Sequence, residues 1–389
     1  MLDRIHLRDF KCFEQLTLPL PNLTLLTGFN ASGKSTALQP MLLMSQALRG
    51  GSQSTSIALN GSLVRLGTPS EVFNEFPSGG SRNLLIGVGS GPSDAWWRLG
   101  AEDRNIGSAL TLEEVKLTGA PGGDLTTNGW PNPAAVPDQH KMLLECVREV
   151  VFLSAVRTGT PETYPSIDET NPIQADVGVE GQYATWWFQR HLDDDIAPAR
   201  RHPGEAAPTL RRQFNAWASE LFPGIDANAQ RIARTSQLRL ELRTRTTEDY
   251  RRPANIGYGL TYVFPVLVAL LLAKDGQTIV VDSPEAHLHP SGQSALGRIL
   301  AAFSAVGVQI VVETHSDHLL NGVRRAASSG IVQARDVGIH FFRSIQGKTE
   351  EARVTTIAVD GSGSLDNWPS GFFDQADIDL ASLAGWVDQ

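Results

Sequence analysis

Nine residues constrain this chain more than any others: Gly28-Phe29-Asn30-Ala31-Ser32-Gly33-Lys34-Ser35-Thr36, which fit the phosphate-binding pattern G-x-x-x-x-G-K-[ST]. The context supports the pattern. Leu23-Thr24-Leu25-Leu26-Thr27 is short, apolar and β-branched, as in a buried strand. Ala37-Leu38-Gln39-Pro40-Met41-Leu42-Leu43-Met44 is apolar at helical spacing, and Pro40 fits if it lies within the first turn. A strand, a Gly-rich turn and a helix N-terminus aim free backbone N–H groups and the positive end of a helix dipole at one point. Lys34 is then expected to reach the β- and γ-phosphates of a nucleotide, and the Ser35 hydroxyl to hold Mg²⁺. The alternative, a Gly-rich turn with a surface lysine, leaves the flanking strand and helix unexplained.

A second half of such a site lies far along the chain. Thr278-Ile279-Val280-Val281-Asp282 is an apolar strand ending in a carboxylate, the form expected of the acid that holds the Mg²⁺ shell. Ser283-Pro284-Glu285-Ala286-His287-Leu288-His289-Pro290 follows. The next strand, Val308 to Val312, runs into Glu313-Thr314-His315-Ser316-Asp317, so both strands end in polar residues where a parallel sheet binds ligands. His315 is a candidate donor to the γ-phosphate or to attacking water. His287, His289 and His315 also raise a zinc cluster, but His-x-His is not a helical ligand pair and the phosphate loop already accounts for the acids; His287 and His289 are expected to pack the turn. Upstream, Asn255-Ile256-Gly257-Tyr258-Gly259-Leu260-Thr261 precedes an apolar helix over 262–273, either a second anion site or a loop feeding a core helix.

The rest of the chain is read more coarsely. Its 389 residues are enough for one large or two ordinary domains, and 41% hydrophobic with 19% charged residues is globular. A net charge of −9 excludes a global basic field for nucleic acid. Cys12 and Cys146 are too few for a disulfide scaffold or a cysteine zinc site. The start carries no signal-peptide pattern, and the apolar run Val263 to Ala273 is too short to span a bilayer, so a soluble cytoplasmic protein without membrane contact is expected. Residues 2–26 alternate as two strands around Asp9-Phe10-Lys11-Cys12, with Pro19 and Pro21 marking an edge; Arg8 and Lys11 are either solvated or nucleotide contacts. Residues 50–140 read as short strands, at 57–66, 84–88, 95–99 and 109–117, with turns at 119–124 and 131–137. Val150 to Ala155 reads as a core strand, leaving Arg157 a candidate contact at its end. Residues 158–182 read as a loop and 182–222 as two helical pieces broken near Pro198 and Pro203. The stretch 200–252 is Arg-rich, with Arg239, Glu241 and Arg243 alternating against Leu238, Leu240 and Leu242: a solvated sheet face, or a partner or DNA surface.

Taken in order, these motifs resemble ATP-binding-cassette ATPases of the SMC and RecF type. The pieces Pro284-Glu285-Ala286-His287-Leu288-His289-Pro290 and Thr314-His315-Ser316 most resemble the overcoming-lysogenisation-defect (OLD) branch. The resemblance covers 1–50 and 250–325 firmly and the middle loosely. It implies an α/β fold: an ABC-type P-loop ATPase head with a β-rich N-terminal lobe and a helical, basic insertion. Residues 1–50 and 250–345 would form the head core, 51–249 the lobe and insertion of the same head, and 346–389 a tail. The tail piece Asp366 to Asp374 looks like a short segment found on stand-alone ATPases of this branch; a docked loop with a terminal helix is the simpler reading than a partner-binding tail. The resemblance further implies that Gly28, Asn30, Ala31, Ser32, Gly33, Lys34, Ser35 and Thr36 bind ATP in cis, that Ser35 and Asp282 hold Mg²⁺, and that Asn255, Gly257, Gly259 and Thr261 meet the γ-phosphate bound by a second copy. ATP would then drive dimerisation. Two departures stand out. Where the family has a glutamate after the Mg²⁺ acid stands Ser283, no base at neutral pH, so Glu285 is the candidate catalytic carboxylate with His315 beside it. The Toprim nuclease of many relatives has no counterpart in the residues after His315, which implies a separately encoded effector or nuclease subunit as partner.

Overall fold

The computed structural model describes residues 1–51, 54–75, 83–103, 106–119, 123–245, 247–343 and 353–384. The turn expected at 119–124 falls partly outside the described residues, as do 346–352 and 385–389 of the expected tail.

The chain begins with a hairpin of β1 (Arg4–Phe10) and β2 (Phe13–Pro19), turned by Asp9 and Lys11 at φ 57° and 47°. β3 (Leu23–Gly28) leads through the Gly-rich loop into α1 (Lys34–Arg49). The helix starts at Lys34, so Pro40 sits in its second turn rather than its first, where its missing N–H leaves one helical bond unmade. β4 (Ser56–Ala58), β5 (Leu84–Ser90), β6 (Ser93–Gly100), β7 (Ala109–Thr118) and β8 (Leu125–Asn128) follow. The strand expected over 57–66 is only the short β4. These strands pair antiparallel with the hairpin in the order β2-β1-β5-β6-β7-β4, with β8 on β7, and β2 is an edge as Pro19 suggests. Alternate residues such as Ile86, Trp97 and Val115 fill one core. Helix α2 (Asp138–Arg148), which the Pro-rich flank hides from sequence reading, packs His140, Leu143 and Val147 at helical spacing.

β9 (Val151–Leu153) enters a second sheet. β10 (Tyr164–Pro165), α3 (Ala184–Arg190), α4 (Leu210–Ser219), β11 (Asp226–Arg231) and β12 (Gln237–Arg243) make a small three-stranded sheet with helices against it. The chain then alternates through α5 (Tyr258–Leu272), β13 (Thr278–Asp282), α6 (Pro290–Ala305), β14 (Gln309–Glu313), α7 (Asp317–Ser328) and β15 (Val337–Phe342), before β16 (Val354–Ala358) and α8 (Gln375–Leu383).

The second sheet has the order β16-β15-β3-β14-β13-β9, parallel except for β16. It is buried on both faces. Ile279, Val281, Ile310 and Val312 face the core with α5, while Leu26, Val280, Val311 and Phe342 face the core of the antiparallel lobe. That is why these strands read as continuous apolar runs. The boundary drawn at residue 346 falls inside this sheet, because β15 pairs directly with the phosphate-loop strand β3 and β16 pairs with β15. Likewise β9, within the range assigned to the insertion, is a strand of the head sheet. Among the described residues no helix is long and apolar enough to cross a membrane.

Candidate functional site

Parallel register brings one end of β3, β13, β14 and β15 together. Asp282 pairs with Glu313, Glu313 with Leu26, and Phe342 with Gly28. The Gly-rich loop therefore leaves the sheet beside two carboxylates, at the edge where parallel sheets bind ligands.

The loop itself needs its glycines. Gly28 has φ 132°, and a Cβ there would collide with the Phe342 backbone; Gly33 has φ 106°, and a Cβ would lie 2.8 Å from the Phe13 ring and 2.9 Å from Cys12 Sγ. Ala31 takes a left-handed φ of 59° without being glycine. Asn30 is exposed, and the buried Ser32 hydroxyl donates to the Phe29 carbonyl at 2.7 Å. Lys34 is buried and folded back: its Nζ donates to the carbonyls of Phe29 (2.8 Å) and Gly28 (3.2 Å). Burial pulls the Lys34 ammonium below its usual range, against the pull of Glu313 and Asp282. Ser35 and Thr36 open α1, with Ser35 exposed and its hydroxyl donating to Glu313 Oε1 at 3.0 Å.

Glu313 is a candidate site residue that motif reading passes over. Burial, then the neighbouring Asp282, push its carboxyl up to about 7. Ser35, Gln39, Asp282 and Glu313 line one cavity of about 170 Å³, and Gln39 Oε1 is buried without a hydrogen-bond partner among the described residues. The rest of the lining is apolar apart from Arg65, so Ser35, Asp282 and Glu313 are the oxygen donors that could face a cation from one side, with phosphate or water completing its shell. The sequence signal was available: two consecutive parallel-type strands that both end in an acid.

Past Asp282, Ser283 takes φ 48° and donates its hydroxyl to Asp282 Oδ1 at 2.8 Å. Arg157, buried, donates to the carbonyls of Asp282 (2.7 Å) and Ser283 (3.3 Å) and lies 5.7 Å from the Tyr262 ring. Its burial pulls it down to about 10 despite Asp282 and Glu285. It fixes the backbone of the acid strand from inside, so it is no exposed contact. Glu285 is buried; Oε1 accepts the His315 N–H at 3.0 Å, while Oε2 has no hydrogen-bond partner among the described residues. Burial raises its carboxyl above the usual range, against the Thr314 and His315 hydrogen bonds. At His315, partial burial of the ring and then the Lys34 charge hold it below its usual value, against the pull of Asp282. His287 packs on Tyr262 (4.5 Å) and Tyr258 (5.9 Å), and His289 caps α6, its ring accepting from the Ser291 N–H at 3.3 Å. Both pack the turn, as expected.

The second Gly-rich turn has separate neighbours. Asn255 and Gly257 are exposed; Gly257, at φ 122°, precedes α5 and faces open space. Gly259 packs against the His287 carbonyl and the Phe222 ring. Thr261 is turned inward, buried, with its hydroxyl on the Tyr258 carbonyl at 2.8 Å. Four arginines of 200–252 are committed within the chain, Arg200 to Ala273 and Asp275, Arg211 and Arg243 to Asp226, and Arg212 to Glu205, while Arg231, Arg239 and Arg245 are exposed.

An SMC head bound to the C-winged-helix domain of ScpA superposes with a TM-score of 0.51 at 13% identity, over 92% of this chain and 98% of that one. The fold is that of an SMC-type ATPase head. Two further SMC heads superpose less well: one from Thermotoga maritima (TM-score 0.39, 13% identity, 92% and 99% covered), and one from Pyrococcus furiosus with an extended coiled coil, bound to the C-terminal domain of ScpA (0.47, 12%, 99% and 99%). A family model described as "AAA domain, putative AbiEii toxin, Type IV TA system" matches residues 176–321 of the head, and one described as "Protein of unknown function (DUF3696)" matches 332–383. No curated protein matches the sequence. Residues 176–321 thus resemble an AAA domain, within a chain that has the fold of an SMC head. The second match spans β15, β16 and α8, so it joins the last strand of the expected head core to the strand and helix of the expected tail.

Proposed function

We propose that the chain is a slow, nucleotide-switched ATPase of the OLD branch. It binds Mg·ATP on the loop Gly28–Thr36, pairs head to head with a second copy, and switches a separately encoded effector in bacterial anti-phage defence or DNA repair. The single observation that carries this reading is the meeting of the Gly-rich loop, Ser35, Asp282 and Glu313 at one sheet edge. On binding, Lys34 exchanges the Phe29 and Gly28 carbonyls for phosphate oxygens. Ser35, Asp282 and Glu313 would hold Mg²⁺, which supplies charge neutralisation across the β- and γ-phosphates. Glu285 Oε2, buried and without a hydrogen-bond partner among the described residues, is the candidate acceptor for a water proton once nucleotide binds, and the His315 backbone fixes Oε1. His315 is the candidate donor to the γ-phosphate or to that water. Gly257 and Asn255, facing outward at the start of α5, are the groups offered to a partner's phosphates. The description of the matched family as a toxin of a type IV system agrees with a defence role.

A second reading, a nucleotide-gated scaffold with negligible turnover, is favoured by one feature: at position 283 stands a hydroxyl already bonded to Asp282 rather than a carboxylate. Direct DNA binding is the weaker alternative, since Arg243 in the expected basic face is held by Asp226. Calorimetry and light scattering with Mg·ATP test the main reading. Wild type should bind and dimerise, and Lys34→Ala should lose at least about 100-fold in affinity along with the dimer. Dimerisation of Lys34→Ala at wild-type ATP levels would overturn it. Turnover abolished by Glu285→Gln supports the enzyme; absence of turnover in wild type supports the scaffold.

A further inference from the structure

The residues after β16 close on the phosphate loop. Val359 bridges back to Leu365, and Asp366 and Ala358 exchange hydrogen bonds at 2.9 and 3.1 Å, so the chain returns toward β15. There Trp368, Phe372 and Phe373 pack edge to face, at 5.0 and 4.9 Å between ring centroids. Phe372 is fully buried and meets Phe341 of β15 edge-on at 5.5 Å. Arg324 of α7 secures the segment: its guanidinium lies 5.6 Å from the Trp368 ring centre, and its Nε donates to the Gly363 carbonyl at 2.8 Å.

One residue joins this cluster to the nucleotide site. Phe29, second in the phosphate loop, lays its ring 5.9 Å from Phe341 and directly against Gly371, where an added Cβ would collide with the Phe29 ring. Gly371 sits at φ 83°, with its N–H on Asp374 Oδ2 at 2.8 Å. The backbone of the same Phe29 carries the resting loop: its carbonyl accepts Lys34 Nζ and the Ser32 hydroxyl, and its N–H donates to the Phe342 carbonyl at 3.2 Å. Lys34 cannot reach a triphosphate without leaving that carbonyl. The Phe29 ring is 44% exposed, so its seat on Gly371 is a contact that a loop movement can open.

We propose that residues 366–374 form a latch that positions the phosphate loop through Phe29, and that nucleotide and latch are reciprocally coupled. This gives the DUF3696 segment a role as a nucleotide sensor of the head, and it rests on the reading that the loop binds Mg·ATP. Lys34 moving to phosphate releases the Phe29 carbonyl and shifts its ring on Gly371. Conversely, anything that displaces the segment changes nucleotide affinity by the same factor. Phe29, Gly371 and Phe372 are positioning residues here.

The full chain tests this by calorimetry with Mg·ATP and by hydrogen exchange over 366–374. In wild type, Mg·ATP should alter exchange in that segment. Gly371→Ala, whose methyl presses on the Phe29 ring, should change the Mg·ATP Kd by about fivefold or more. In a Phe29→Ala background the same Gly371→Ala change should have a clearly smaller effect, because the ring it strikes is gone. Should Gly371→Ala fail to fold by circular dichroism, Phe372→Leu, which keeps bulk but loses the edge contact with Phe341, takes its place with the same Kd reading. If wild type binds Mg·ATP while latch variants bind equally and exchange in 366–374 is unmoved, the latch is overturned and the nucleotide reading stands. If wild type does not bind Mg·ATP, the nucleotide reading fails first.

Discussion

The two Gly-rich turns of this head differ in what surrounds them. In the phosphate loop, Gly28 abuts the Phe342 backbone and Gly33 the Phe13 ring and Cys12 sulfur, so each missing Cβ is matched by an atom of the same chain. At the start of α5, Gly257 has nothing within 4 Å of where a Cβ would lie, Asn255 is exposed, and the neighbouring Tyr258 is 57% exposed. The first turn is finished within one molecule. The second is packed only from Gly259 onward, against the His287 carbonyl, and its leading edge at Asn255 and Gly257 is open to the outside.

Substitutions that probe this contrast fall in order of effect. Gly28→Ala forces a Cβ into the Phe342 carbonyl at a φ that L-residues avoid, and should cost about 4 kcal/mol, read as a large fall in denaturation midpoint. Near-wild-type stability would show that the loop is not held by β15.

The next effect is electrostatic. The fold raises Glu313 to about 7, so it favours the protonated acid. The penalty is absent below the usual carboxylate range near 4.5, grows as pH rises, and is complete above 7, where it reaches about 3 kcal/mol. Glu313→Gln should therefore raise the midpoint of unfolding at pH 8 and leave it unchanged at pH 4. An equal gain at both pH values would refute the assignment.

The smallest effect is expected at the open turn. Gly257→Ala adds a Cβ into empty space and costs only the strain of φ 122°, about 1–2 kcal/mol. It should spare Mg·ATP binding by the monomer while weakening the ATP-dependent dimer in light scattering. Loss of monomer binding would show that the two turns act as one site within the chain.

How far the site was legible depends on sequence distance. The loop and α1 are contiguous, and the strand ending in Asp282 announces itself by composition, so both were readable. The Ser35–Glu313 bond joins residues 278 positions apart, and no local pattern encodes it. The expectation that Pro40 lies in the first helical turn failed because the helix begins at Lys34, a boundary set by the loop's geometry. Arg157 was legible as a residue at a strand end. Its inward turn places it on the Asp282 and Ser283 carbonyls and beside Tyr262, on a helix a hundred residues later. The Arg-rich stretch read as one face, yet Asp226 lies across from Arg243 in register and takes its charge.

Local pattern alone announces a Gly-rich turn between a buried strand and a helix, a second apolar strand that ends in Asp282, and an α/β layered fold. These are short-range matters of periodicity, glycine spacing and strand endings, and each is decided by residues within one or two turns of one another. Which acid Ser35 touches, which strand flanks β3, and the seat of the C-terminal segment on Phe29 are set by three-dimensional packing. Those are pairings between distant pieces of chain, chosen by which buried faces and ring edges fit together in three dimensions, and a linear pattern holds no record of that choice.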